Sequence, residues 1–524
     1  MIRRRAGRGR APLSLLLPAC LTVALLLLPL AYLVVRASGG GGRGWRVLTR
    51  SNTLELIWST GLLVAGVTLV SVTIGVSVAW LTTRTDLPGR RFWAVAAALP
   101  LVIPSYVAAF CLLGAFGPRG LLQQLLGVER LPEIYGYWGA LAALTLSTYP
   151  YVLLLVSAAL RGLDPALEEA GRGLGRTPLE VFRRVTLPAL RPSIGAGALL
   201  VALYTLSDFG VVSLMRYDAL TRAIYLQYKS LFDRTPAAVL ALVLVVLTAL
   251  VLWLESRWRR RVSRSGPGTA RQARPQRLGR WRWPALAYCS AVVGAFLAVP
   301  ATVLVYWLAR GLDRAEMPWR EAANSMTASS LAALAAVVAA LPIALLATRY
   351  RTRLTALLER LSFAGNALPG IVIALSLVFF AANYASRLYQ TLALLVFAYV
   401  VRFLPQALAG IESALASVNP RVEEAARALG RGPAAAALTV TVPLIRSGIF
   451  AGAALVFLSA MKELPATLLL RPIGFETLAT EIWKLTSVGS YSRAAVPALV
   501  LIVVSAPFVY FLSSRHEPTG VEHG

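Results

Sequence analysis

The chain has 524 residues, of which 57% are hydrophobic and only 15% are charged, and its mean hydropathy is +0.67. Soluble domains are about 25% charged, so this composition excludes a disordered chain and argues against a soluble multidomain enzyme. The formal net charge is +28. The Arg residues lie in short clusters between apolar runs rather than in a separate basic domain, which argues against a nucleic-acid partner.

Apolar runs follow one another along the whole chain. Each is about the length that a helix needs to cross ~30 Å of hydrocarbon, and none alternates in the way of a barrel strand. The runs lie near 13–35, 56–82, 92–116, 136–159, 193–215, 236–255, 285–309, 326–348, 361–382, 388–408, 447–470 and 495–513. They predict an all-α membrane protein with about 12 transmembrane helices.

Arginine is concentrated in alternate loops. The N-terminal arm, the loop after the second run, residues 256–283 and the loop after the eighth run are rich in Arg. The loops between them are closer to neutral, except for Arg43, Arg46 and Arg50 in the first outer loop. Because cytoplasmic loops carry the excess of Lys and Arg in membrane proteins, we expect both termini in the cytoplasm.

Residues 256–283 divide the chain in two. They contain no acidic residue and are rich in Arg, Ser, Gly, Pro and Gln. This composition predicts a flexible, basic cytoplasmic linker between a first half, 1–255, and a second half, 284–524. A polybasic segment that binds lipid or regulates the protein is the alternative.

The two halves repeat one another. Matches fall at an offset of 265 and later of 255: Arg84 with Arg349, Pro104 with Pro369, Pro150 with Pro405, Glu169 with Glu424, Gly175 with Gly430, Thr186 with Thr441 and Pro188 with Pro443. A constant offset over unrelated residue types indicates duplication. Because each half holds six runs, both copies keep the same orientation. We predict two parallel six-helix repeats, with cores at about 56–255 and about 326–513.

A polar segment between the fourth and fifth runs occurs in both halves. The copies are DPALEEAGRGLGRTPLEVFRRVTLPALRP at 164–192 and NPRVEEAARALGRGPAAAALTVTVPLIRS at 419–447. The Asp-Pro and Asn-Pro pairs predict helix starts, and Gly175 and Gly430 predict helix ends. A second helix follows, which we expect Pro188 or Pro443 to end. Two such charged helices predict a docking surface for a partner; the alternative is a solvated helical loop.

The pattern E-A-A/G-x-x-x-G in these segments resembles the coupling motif of ABC-transporter permease subunits from binding-protein-dependent type I importers. In that family a short helix fits a cleft in a cytosolic ATPase and transmits its closure. The resemblance covers both halves and implies ATPase coupling by Glu168, Glu169, Gly175, Glu423, Glu424 and Gly430. Gly171 departs from the usual Ala, and Ala437 stands where the first copy has Phe182, so the two coupling helices are expected to differ.

The fused length and the segments at 208–225 and 462–483 resemble ferric-iron importer permeases. That resemblance implies an iron(III) permease in the cytoplasmic membrane of a bacterium, surrounded by lipid and without a cofactor. It also implies two kinds of partner, a cytosolic ABC ATPase homodimer and an extracytoplasmic substrate-binding protein. Thiamine or another small solute is the alternative cargo. An ion-coupled secondary transporter fits less well, because its repeats are frequently inverted.

Three charged residues, Asp208, Lys462 and Glu463, lie inside apolar runs. An ionised group at the bilayer centre costs about 2.5–3.5 kcal/mol or more, so each should face a partner or a water-filled path. One hypothesis is that Asp208 and Glu463 line the translocation path near its outer end, since oxygen ligands suit a hard cation. The other is that Lys462 pairs with one of the acids and braces the two halves. Pro465 is expected to end or bend its helix.

The sequence contains few residues that could form a metal site or a catalytic centre. Cys20, Cys111 and Cys289 lie in three different runs, and His516 and His523 lie in the C-terminal tail, so we expect no metal site. The chain contains no GxxxxGKS/T motif. We therefore expect a transport subunit that is not itself an enzyme and borrows a separate ATPase.

Overall fold

The computed structural model describes residues 11–38, 46–118, 120–129, 131–230, 235–262, 275–311, 316–350 and 352–514. The N-terminal Arg arm, the centre of the predicted linker at 263–274 and the tail that holds both His residues lie outside the described residues.

The first half is a series of helices joined by turns. Its helices are α1 Leu13–Ser38, α2 Ser51–Arg84, α3 Arg90–Ala96, α4 Ser105–Phe116, α5 Leu121–Leu126, α6 Tyr137–Gly162, α7 Pro165–Gly173, α8, α9 Gly210–Leu214, α10 Leu220–Ser230 and α11 Thr235–Val262. Helix α8 has three continuous parts, which are Pro178–Val181, a π-helical turn Phe182–Thr186 and Leu187–Ser207.

The second half repeats this order. Its helices are α12 (Arg282–Val293, a π-helical turn Gly294–Ala298 and Val299–Gly311), α13 Trp319–Arg349, α14 Arg353–Ser362, α15 Gly370–Tyr384, α16 Leu392–Ser417 and α17 Pro420–Ala428. They continue with α18 (Pro433–Ala436, a π-helical turn Ala437–Thr441 and Val442–Leu444), α19 Arg446–Met461, α20 Pro465–Leu470, α21 Leu478–Ser487 and α22 Tyr491–Ser514.

The number of membrane-spanning helices agrees with the prediction. Within the described residues, 10 helices are long and apolar enough to cross a membrane, and two bent pairs raise the number to 12. This confirms an all-α membrane protein built from two parallel six-helix repeats. In each half, three long helices pack together as a core, namely α2, α6 and α8 in the first and α13, α16 and α19 in the second.

Four predicted spans are broken where we expected continuous helices. Pro104 and Pro369 directly precede α4 and α15, and the second-half chain turns by 98° at this point. Proline lacks an N–H and disfavours helical geometry in the residue before it. The runs 193–215 and 447–470 break after Ser207 and Met461, and the short helices α9 and α20 follow. Pro465 therefore begins α20 instead of ending or bending a helix.

The expectation that Pro188 ends a helix is wrong. Helix α8 continues through Pro188, because the π-helical turn before it shifts the hydrogen-bond register and Leu187 donates to the Phe182 carbonyl. Val442 donates to the Ala437 carbonyl in the same way. In the second half the helix stops shortly after Pro443, and α18 meets α19 at 72°.

The first helix of each half packs on the other half. Helix α1 contacts α13 and α15, and α12 contacts α2 and α4. Tyr32 near the end of α1 donates to the Phe379 carbonyl in α15, and Trp307 near the end of α12 donates to the Gly114 carbonyl in α4. The two acceptor carbonyls are repeat equivalents at offset 265. The halves are thus interlocked around a pseudo-twofold axis.

Both ends of the predicted linker are regular structure. Helix α11 extends to Val262, and Gln276 pairs with the end of α2 through two backbone hydrogen bonds, to Arg84 and Asp86. The Asp86 carboxylate also accepts the backbone N–H of Leu278 at 2.8 Å. The described ends of the predicted linker, 256–262 and 275–283, are therefore ordered instead of flexible.

Candidate functional site

The two polar repeat segments form short helices whose starts are capped as predicted. The Asp164 side chain accepts the backbone N–H of Ala166 at 3.0 Å, and the Asn419 side chain accepts that of Arg421 at 3.2 Å. Pro165 and Pro420 occupy the first turn, where a missing N–H costs no hydrogen bond. Helices α7 and α17 are therefore the candidate coupling helices.

Both candidate coupling helices end at the predicted glycine. Gly175 and Gly430 have φ of +78° and +87°. Their backbone N–H groups bond to the Arg172 and Arg427 carbonyls, and the next N–H reaches one residue further back, to Gly171 or Ala426. This paired pattern is a Schellman motif, which requires the left-handed backbone that glycine adopts without strain.

Each coupling helix presents an acid and apolar side chains to solvent. Glu169 and Glu424 are exposed. Leu174 is 78% exposed and Leu429, its repeat equivalent, is 85% exposed. Leu167 and Val422 are exposed in the same way. The sequence interpretation missed these apolar residues, although their shared offset of 255 was a usable signal.

The other acid of each pair is buried inside the permease. Glu168 is 2% exposed, accepts the Thr186 hydroxyl at 2.9 Å and lies 3.8 Å from Arg84 Nε. We call Arg84, Glu168 and Thr186 the first bracket. The second bracket is Arg349, Glu423 and Thr441, in which Glu423 accepts the Thr441 hydroxyl at 3.3 Å and lies 3.2 Å from Arg349 Nε. The structure thus separates the predicted acids into an exposed pair and a buried pair.

The turns after the two coupling helices differ. Thr177 and Glu180 cap each other, with the Thr177 N–H 2.9 Å from the Glu180 carboxylate, and this backbone hydrogen bond lowers the pKa of Glu180. Gly432 stands in place of Thr177. The Phe182 ring lies 5.5 Å from that of Trp80. Its repeat equivalent Ala437 is buried but has no ring to make such a contact. The expected difference between the copies is therefore a difference in how each is held to its core.

Asp208 lies where α8 breaks. Its carboxylate accepts the Ser105 hydroxyl at 2.5 Å and the Val211 backbone N–H at 2.8 Å. Its carbonyl accepts the Thr221 hydroxyl at 2.7 Å. Asp208 thereby joins α4 to the first turn of α9 and to α10.

Glu463 holds the equivalent position in the second half. It accepts Arg402 at 2.7 Å and the Ala466 backbone N–H in α20 at 3.2 Å. Glu463 is therefore paired with Arg402 and not with Lys462, as one of the two hypotheses had it, and this pair lies within the second half instead of bracing the two halves. Sequence reasoning missed Arg402, even though a lone Arg inside the apolar run 388–408 was visible.

These two breaks lie where the halves meet. A Cβ on Gly210 would lie 2.8 Å from Tyr106 and 3.2 Å from Leu464 of the other half. The Phe209 ring lies 6.4 Å from that of Trp483. The breaks are separated from α7 and α17 by the full lengths of α8 and α19, so the coupling helices and the acids occupy opposite ends of the core helices.

Comparison with known proteins decides the family. Residues 71–264 and 323–516 each match the profile of the inner membrane component of binding-protein-dependent transport systems. The chain belongs to this family. It is therefore a multi-pass inner-membrane permease component, and the family is present once in each of the two repeats.

Relatives of this permease differ in length and in named cargo. The Fe(3+)-transport system permease protein of Haemophilus influenzae is 35% identical over 96% of this chain and 98% of its own. The sulfate permease protein of Salmonella typhimurium is 31% identical over 45% of this chain and 90% of its own. The molybdenum permease protein of Escherichia coli is 32% identical over 38% of this chain and 90% of its own.

A solved structure with inward-facing conformations of the MetNI methionine ABC transporter also matches. It is 22% identical, covers 40% of this chain and 96% of that chain, and has a TM-score of 0.32. Among the described residues of the permease, no group of three or more His, Cys, Asp or Glu side chains is placed to hold a metal ion.

Proposed function

We propose that this chain is the permease of an ATP-driven importer for iron(III). The observation that supports iron(III) as the cargo is the relative named for Fe(3+) transport, which aligns along almost the whole fused chain. The relatives named for sulfate and molybdenum transport match less than half of it. A substrate-binding protein delivers the ion at the outer face, and alternating access moves it inward.

The energy for this transport comes from a separate ATPase homodimer, with one subunit on each coupling helix. The exposed Leu174 and Leu429, flanked by the exposed acids Glu169 and Glu424, are the contact surface. A rigid amphipathic helix that presents apolar side chains suits a groove on a partner. The Arg-rich loops support a cytoplasmic position for this surface and for both termini.

Asp208 and Glu463 belong to the wall of the path at its outer end. Each acid joins a long core helix to a short helix after a break, and discontinuous helices commonly form transporter sites. Their carboxylates are occupied by Ser105, Arg402 and backbone N–H groups. We therefore assign them to bracing this wall before any direct contact with the ion.

An oxyanion is the second candidate cargo, favoured by the sulfate and molybdenum permease relatives. Uptake by a deletion strain that expresses the permease, its ATPase and its binding protein separates the candidates. We expect labelled iron(III) to accumulate, with no competition from thiamine, sulfate or molybdate. Uptake of any of these in place of iron would overturn the cargo assignment.

A further inference from the structure

The two brackets join the same three elements in each half. Arg84 is the last residue of α2, Glu168 lies in coupling helix α7, and Thr186 is the last residue of the π-helical turn in α8. Arg349, Glu423 and Thr441 occupy the equivalent places on α13, α17 and α18. The match is kept at all three positions of the repeat, although the residues between them have diverged.

The bracket acids are turned away from the surface that a partner would touch. Glu168 and Glu423 are buried, while their sequence neighbours Glu169 and Glu424 are exposed. Arg84 is also buried, at 4% exposure. Each acid is held between an arginine and a hydroxyl, and the second oxygen of Glu168 also lies 3.9 Å from Arg172 on α7 itself. Neither carboxylate therefore has a free face for an ATPase.

The brackets connect each coupling helix to the core by charge. Coupling helix α7 packs mainly on the first two parts of α8, Pro178–Val181 and Phe182–Thr186, and the Arg84 pair links it to α2. Arg84 Nη2 also donates to the Leu163 carbonyl at the end of α6, at 3.1 Å. Separating a buried ion pair strands both charges in a poorly solvated place, so the three elements are expected to move together.

Core helix α2 is long enough to transmit such a movement from one end of the bundle to the other. It has 34 residues, which corresponds to about 51 Å at 1.5 Å per residue. The long last part of helix α8, Leu187–Ser207, also begins next to the bracket residue Thr186 and ends beside Asp208. A displacement of α7 is thus applied to the near ends of the two helices whose far ends lie at the outer side of the bundle.

We propose that the two brackets transmit the movement of each coupling helix to the core helices. Glu168 and Glu423 are then positioning residues inside the permease, and Arg84, Arg349, Thr186 and Thr441 are their partners. This inference rests on the proposed function, because it presupposes an ATPase docked on α7 and α17. It assigns coupling to the brackets and docking to the exposed face.

The test uses the full permease with its ATPase and binding protein in proteoliposomes. The variant Glu168→Gln with Glu423→Gln keeps the shape and an acceptor for each threonine but removes the charge. We expect the ATPase to co-purify at the wild-type ratio and ATP hydrolysis to continue, while uptake per ATP falls about tenfold. Arg84→Lys with Arg349→Lys keeps the charge and should retain most of the coupling.

Two controls separate this role from docking and from folding. Glu169→Gln with Glu424→Gln changes the exposed neighbours and should reduce ATPase co-purification instead of uptake per ATP. Arg222→Gln breaks an ion pair with Asp218 at the other end of the bundle and should leave both unchanged. If the charge-free variant is poorly folded, Thr186→Val with Thr441→Val, which removes only the two hydroxyl donors, is measured in the same way.

Wild-type uptake per ATP in the Glu168→Gln, Glu423→Gln variant would overturn the inference, as would loss of ATPase binding in that variant equal to the loss in the exposed-acid variant. A change in thermal stability alone, with unchanged uptake per ATP, would also overturn it. Failure of the ATPase to co-purify with the wild-type chain would instead refute the proposed function.

Discussion

Arg402 donates to Glu463 at 2.7 Å, and this ion pair occupies space that exists because residue 370 is glycine. A Cβ at Gly370 would overlap the Arg402 guanidinium and Glu463. The repeat equivalent of Gly370 is Ser105, whose hydroxyl donates to Asp208. The two halves therefore anchor equivalent acids differently, one by a hydrogen bond from a neutral hydroxyl and the other by an ion pair.

This difference predicts that Gly370→Ser destabilises the second half. The added side chain displaces Arg402 and leaves Glu463 without its cation, and breaking a buried ion pair costs about 3–5 kcal/mol. We expect the lower end of this range, since Arg402 is partly exposed. Thermal unfolding in detergent measures the loss.

The residues at the equivalent positions of the first half define a variant that should restore the lost stability. Adding Arg402→Ser and Glu463→Asp to Gly370→Ser reproduces Ser105, Ser147 and Asp208, the set at the equivalent positions. We expect this triple variant to unfold at a higher temperature than Gly370→Ser alone. Equal unfolding temperatures for the two would show that the space at Gly370 does not serve the ion pair.

The acids themselves should differ in sensitivity. Glu463→Gln strands the charge of Arg402, whereas Asp208→Asn weakens only hydrogen bonds, at a cost of about 1–3 kcal/mol. We expect a larger loss of assembled protein for Glu463→Gln, measured by size-exclusion chromatography. Normal assembly of both variants with abolished uptake would contradict the bracing role and favour direct contact with the transported ion.

The sequence predicted the parts of the site that are repeated and missed those that depend on three-dimensional contact. Because the repeat offsets are regular, the sequence alone locates Glu168, Gly175 and their equivalents in the second half. Hydropathy, however, reports only that a run is apolar, and so it could not show that α8 and α19 break near Asp208 and Glu463. The packing of α1 on the opposite half left no local signal either.

The exposed leucines give a direct test of docking. Leu174→Ser with Leu429→Ser removes apolar contacts at two highly exposed positions. We expect ATPase binding to weaken at least tenfold, while the unfolding temperature of the permease alone stays unchanged. Pull-down of the ATPase against increasing permease concentration measures the affinity.

Val488→Ser is the matched control for this surface. Val488 is also highly exposed, at 73%, but it lies in the turn between α21 and α22, away from the coupling helices. It should leave ATPase binding unchanged. Equal weakening by both substitutions would mean that the leucines have no special role in docking.

Substitutions of the glycines at the ends of the coupling helices should impair uptake because of the backbone conformation they impose, and hardly because of side-chain volume. A Cβ at Gly175 or Gly430 meets nothing within 4 Å, yet both residues have positive φ. A left-handed backbone costs about 1–2 kcal/mol for most residues and less for Asn. We therefore expect uptake to fall more in Gly175→Val than in Gly175→Asn, with the same order at Gly430.

Uptake assays on the four single variants check this order. If Asn and Val impaired uptake equally at both positions, side-chain volume at the ATPase contact, and not the Schellman turn, would be the property that matters.

The most direct measurement is uptake of labelled iron(III) by proteoliposomes that contain the permease and its ATPase, with iron-loaded binding protein outside and ATP inside. The account predicts accumulation that requires all three proteins and hydrolysable ATP, and that falls strongly in the Leu174→Ser, Leu429→Ser variant. Accumulation that persists without the ATPase, or that follows an ion gradient instead of ATP, would contradict it.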